Sequence, residues 1–76
     1  MPTIARLPKS RIDVYANDHL PPHFHIRANE GSKAAVTIRE LKLLAGDVPR
    51  AALVEALDWA TPNRPLLYRM WRELNS

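Results

Sequence analysis

The chain has 76 residues, so one small domain is expected, near the lower limit at which a single apolar core suffices. With no cysteine, a disulfide staple and a thiolate metal site are both excluded, and any metal is left to histidine and carboxylate. Formal charge is +3 with a pI of about 9.8, and the excess lies in residues 1–45, where seven Lys/Arg face four Asp/Glu, whereas residues 46–76 hold four of each.

The start, Met1 to Pro8, has two prolines and no apolar run long enough for a signal peptide or a spanning helix, which predicts a cytoplasmic protein that does not enter a membrane. From Arg11 to Ala16 the pattern alternates, with Ile12, Val14 and Ala16 on one face and Arg11, Asp13 and Tyr15 on the other. This predicts the first strand. Asn17 and Asp18 then open a turn that Pro21 and Pro22 stiffen, because each proline fixes its own φ and pushes the preceding residue towards extended geometry. His23 to Ala28 reads as the second strand, with His23, His25 and Arg27 on its polar side and Phe24 and Ile26 on the other.

Asn29 to Ser32 carries a hairpin signal, with Gly31 suited to the left-handed conformation, and Lys33 to Ile38 reads as a third strand. Matching its apolar face to Phe24, Ile26 and Ala28 fixes the register. Arg27 then faces Lys33, His25 faces Ala35 and His23 faces Thr37. Arg39 to Gly46 suits either a short fourth strand or one helical turn. Asp47-Val48-Pro49 predicts a helix start, with Asp47 as cap and Pro49 in the first turn; Leu53, Ala56, Leu57 and Ala60 follow at helical spacing. Thr61 to Pro65 predicts an interruption, and a second helix follows with the stripe Leu67, Met70, Trp71 and Leu74.

These elements predict an α+β fold: a small antiparallel sheet of three or four strands, covered on one face by two C-terminal helices. Trp59 and Trp71 belong to the core or rim of the helical layer. The other face is expected to be open, carrying Arg11, Tyr15, His23, His25, Arg27, Lys33 and Thr37, with Asp18 and His19 at one edge.

All three histidines fall within residues 19–25, and three chemistries compete for them. The imidazoles with Asp18 have the ligand types for a catalytic metal. No distant Glu or His is marked as a further ligand and the helices carry no histidine, so neither a metal nor another cofactor is assigned. Alternatively, one imidazole removes a 2′-hydroxyl proton from RNA while another protonates the leaving oxygen, with Arg27 or Lys33 steadying the phosphorane charge. That reading makes Asp18, His19, His23 and His25 the candidate catalytic residues and Tyr15, Arg27 and Lys33 the candidate substrate contacts. The third is structural: Asp18 caps the turn and accepts a bond from His19 or His23, while the imidazoles bond to backbone carbonyls. A binding module without catalysis would instead spread its affinity over Arg11, Arg27, Lys33 and Arg39.

The run Asp18-His19-Leu20-Pro21-Pro22-His23-Phe24-His25, with Met1-Pro2-Thr3-Ile4 before it and Leu43-Leu44-Ala45-Gly46, Trp59, Asn63 and Trp71 after it, is similar to a family of short bacterial proteins. That family is catalogued as domain of unknown function forty-one-sixty. The resemblance runs nearly end to end and its signature is D-H-x-P-P-H-F-H. It implies a toxin component of a bacterial toxin–antitoxin pair, sometimes labelled a regulator, together with a small cognate antitoxin that has a DNA-binding part. Carried to this sequence, it gives functional weight to Asp18, His19, His23 and His25. The chain departs from the family in Pro62 and Pro65, where relatives resemble an uninterrupted helix.

Overall fold

A computed structural model describes residues 3–16 and 18–75. Met1 and Pro2 of the resemblance, and the turn-opening role expected of Asn17, lie outside the described residues. Five strands form one antiparallel sheet in chain order: β1 (Thr3–Arg6), β2 (Ser10–Asp13), β3 (His23–Ala28), β4 (Lys33–Thr37) and β5 (Leu43–Gly46). The sheet is thus larger than the three or four strands expected. The additional strand, β1, has four residues, too few for an alternation to show in the sequence. Of the undecided stretch Arg39 to Gly46 only Leu43–Gly46 is strand, and this β5 forms an edge with all four residues exposed.

The register of β3 against β4 is the expected one, with His23 opposite Thr37, His25 opposite Ala35 and Arg27 opposite Lys33. The hairpin between these strands uses Gly31 at φ +109°. Gly46 is a stricter requirement: it stands at φ +74°, and a Cβ there would collide with the Lys33 carbonyl oxygen. The first predicted strand is shorter than expected, because pairing ends at Asp13 and Ala16 is exposed.

The helical region corrects the expectation of two separate helices. Helix α1 (Arg50–Ala60) passes through a single 3-10 turn, Thr61–Asn63, directly into α2 (Arg64–Asn75). Pro62 sits at the start of that turn, where its missing N–H costs little. The Thr61 hydroxyl and the Asn63 amide donate to the carbonyls of Leu57 and Trp59, which holds the joint. Asp47 is not the cap. Pro49 takes that place with no side-chain bond to the helix, while Asp47 accepts the N–H of Val48.

Ile12, Phe24, Ile26, Val36 and Ile38 are fully buried on the covered face, with Ala52, Ala56 and Ala60 of α1 and Leu67 and Trp71 of α2. Alanine at every fourth position gives α1 a smooth strip that rests on β2 and β3. Each large apolar side chain buried there contributes about 1.5–3 kcal/mol. In so short a chain a handful of them therefore carries the fold and fixes which face of the sheet is left to function.

Candidate functional site

The segment between β2 and β3 is pinned from both ends. The last turn of α2 supplies Asn75, whose Oδ1 accepts the backbone N–H of Asp18 at 2.7 Å. Its amide nitrogen donates to the carbonyls of Tyr15 at 3.0 Å and Trp71 at 3.1 Å. At the other end, the Pro22 carbonyl accepts the N–H of Ile38. Asp18 Oδ1 accepts the backbone N–H of His19 at 3.0 Å. That bond turns the other carboxylate oxygen, Oδ2, towards β3.

Two imidazoles meet that oxygen. His23 Nε2 is 2.9 Å and His25 Nε2 is 3.0 Å from Asp18 Oδ2, and one ligand atom from each of the three residues lies within 4.8 Å of the others. The opposite nitrogen of His23, Nδ1, is 2.8 Å from the Pro21 carbonyl. A carbonyl can only accept, so this nitrogen carries a proton. His25 is 26% exposed and has the Tyr15 ring at 4.3 Å. His19 stands apart: its side chain is 74% exposed, its Nε2 is 3.9 Å from Asp18 Oδ1, and its ring stacks on His23 at 5.0 Å.

His23 corrects the picture of an open face. It is 1% exposed, because Trp71 packs on its ring at 5.1 Å and the Pro21-Pro22 segment folds over it. Alternation gives the side of a strand, not what a neighbouring helix end does to that side. Asp18 responds to the gathering of charge: partial burial pushes its carboxyl up. The bond from His25, the His19 N–H and the charges of the two histidines outweigh that and hold it below the usual value.

Beside this centre the outer face of the sheet carries a row of cations. Arg6 faces Arg11 across β1 and β2, Arg11 faces Arg27 across β2 and β3, and Arg27 faces Lys33 across β3 and β4. Directly opposed like charges destabilise a sheet by repulsion. A hollow lined by Arg6, Arg11, Arg27 and Asn29 lies on this row. In the next row Asp13 faces His25, which faces Ala35, which faces Ala45, and the two alanines leave a shallow depression between His25 and Lys33.

Tyr15 does not project freely. Its hydroxyl is 3.4 Å from Asp13 Oδ2, and burial, then the Asp13 charge and bond, push it above the ordinary tyrosine value. Asp13 is fully buried and also accepts from Thr3 and Arg11. The structure thus brings together Asp18, His23 and His25, sets His19 on their rim, places Arg27 and Lys33 on the adjoining row, and lays the Tyr15 ring against His25. Sequence reasoning missed Arg6, Asp13 and Asn75. Arg6 belongs to a strand too short to read, Asp13 passes for a solvent residue of an alternating strand, and nothing local marks Asn75.

A family model described as Domain of unknown function (DUF4160) matches residues 10–72. No curated protein and no solved structure matches the chain. Among the described residues no helix is long and apolar enough to cross a membrane.

Proposed function

We propose, for a chain that belongs to the DUF4160 family, that it is a cytoplasmic toxin component of a bacterial toxin–antitoxin pair which acts on RNA through the outer face of its sheet. The observation that carries this reading is the row Arg6, Arg11, Arg27 and Lys33 next to the centre formed by Asp18, His23 and His25. Arg11 is paired with Asp13 at 3.2 Å, whereas Arg6, Arg27 and Lys33 each face a like charge and gain an opposite one when a phosphate backbone crosses the row. A strand laid along the row brings its phosphates past the depression between His25 and Lys33. His25, reachable from solvent and beside Asp18, is the accessible member of the centre facing the scissile linkage, and His23 Nε2 lies against Asp18 from beneath. The cognate antitoxin is a small protein that neutralises the chain by covering the cationic row with acidic side chains.

Growth of bacteria expressing the chain tests this. Wild type arrests growth and Asp18→Ala and His25→Ala relieve the arrest; equal growth of all three removes the toxin reading.

The burial of His23 favours a second reading, a nucleic-acid-binding regulatory module with no chemistry of its own. On that reading Arg11, Arg27 and Lys33 set the affinity, His25→Ala leaves it unchanged, and binding weakens steeply with salt.

A further inference from the structure

We propose that Asp18 Oδ2, His23 Nε2 and His25 Nε2 together bind one divalent transition metal ion of the zinc class, with water in the remaining position or positions. The inference deepens the functional reading above, on which it rests only for the place of this centre in the protein's work. Three observations support it.

The first is the aim of the donors. Two imidazole nitrogens stand 2.9 and 3.0 Å from the same carboxylate oxygen. Ligand atoms around a tetrahedral zinc, each about 2.0–2.2 Å from it, lie about 3.3 Å from one another. Each nitrogen–oxygen pair is a few tenths of an ångström short of that spacing, and the three donor atoms lie within 4.8 Å of one another, so an ion would spread the two pairs slightly and draw the imidazole nitrogens together.

The second is the proton inventory of His23. Its Nδ1 donates to the Pro21 carbonyl, so in the neutral ring Nε2 is a bare lone pair facing an acceptor oxygen. A bridging cation turns that opposition into two bonds. The backbone carbonyl on the far nitrogen is also the outer partner that fixes the tautomer of a metal-ligating histidine.

The third is preorganisation. Asp18 is held through its N–H by Asn75 and through Oδ1 by the His19 N–H, and Trp71 packs on the His23 ring. Two nitrogens and one oxygen suit zinc, cobalt or another first-row ion better than magnesium or calcium, which take oxygen ligands. Such an ion supplies a Lewis acid and an activated water beside the cationic row.

The test uses the full chain without a histidine tag, stripped with chelator and titrated with zinc and then cobalt, with no RNA and no cells, so that it and the functional reading can fail separately. One ion per chain is expected, with visible cobalt absorption and a rise in melting temperature. His25→Ala and Asp18→Asn, whose side chains are partly exposed, lower affinity by more than the roughly 10–100-fold that outer partners alone are worth. His19→Ala changes it by less than about threefold, as befits a ring outside the ligand set. Absence of saturable one-to-one binding overturns the proposal. So does equal binding by wild type and His25→Ala, or a loss in His19→Ala as large as that in His25→Ala.

Discussion

His23 and Asp18 join a buried ring to a partly exposed carboxylate: Nε2 of the histidine lies 2.9 Å from Oδ2 of the aspartate while the ring is closed off from solvent by Trp71. The pair separates the two histidines of β3 by role. Removing His23 opens a cavity against Trp71 and strips the Pro21 carbonyl of its donor, so His23→Ala is expected to cost about 2–4 kcal/mol. His25 is partly exposed, and His25→Ala is expected to cost about 1 kcal/mol or less. Urea denaturation of the two variants checks the order; an equal loss would make His25 as structural as His23.

Asn75 joins the end of α2 to the segment that carries Asp18. Asn75→Ala removes the acceptor for the Asp18 N–H and the donor to the Tyr15 and Trp71 carbonyls, at a cost of about 1–3 kcal/mol. Amide exchange locates the effect: the Asp18 N–H exchanges faster in the variant, while amides of the β3–β4 ladder slow or quicken only with global stability.

The depressed Asp18 carboxyl gives stability a defined dependence on acid. Its folded value lies below the ordinary 3.8, so the contribution of the pair is fully present above that value and is lost as pH falls through the lower folded one. The stability difference between wild type and Asp18→Asn therefore shrinks as pH falls below about 4. A difference that grows as pH falls below about 4 contradicts the assignment.

The cationic row is expected to trade stability for binding. Arg27 faces Arg11 on one side and Lys33 on the other. Arg27→Ala should leave stability unchanged within about 0.5 kcal/mol, or raise it. The same substitution weakens single-stranded RNA binding and lowers the slope of log affinity against log salt by about 1 for the phosphate contact removed. Fluorescence anisotropy over a salt series reads both.

The readable parts of this protein were those set by short-range alternation. Phe24, Ile26 and Ala28 against Ala34, Val36 and Ile38 left one register open, and it is the observed one. β1 escaped notice because four residues carry too little pattern, and with it went Arg6, the end of the cationic row. Pro62 and Pro65 suggested a break between helices, yet a single 3-10 turn accommodates the missing N–H groups. The gathering of Asp18 with the histidines of β3 depends on Asn75, 57 positions further along. The sealing of His23 depends on Trp71. Contacts of that range leave no local signature, so the types of the site residues were legible and their separation into buried and accessible members was not.

The Asp18 centre and the cationic row are expected to work as one surface on RNA. The direct measurement incubates purified wild type, His25→Ala and Arg27→Ala with end-labelled single-stranded RNA, divalent cation supplied, and resolves bound and cleaved species. Wild type should bind and cut, His25→Ala should bind without cutting, and Arg27→Ala should bind more weakly and cut in proportion. Intact, unbound RNA with folded wild type, or equal cutting by wild type and His25→Ala, contradicts it.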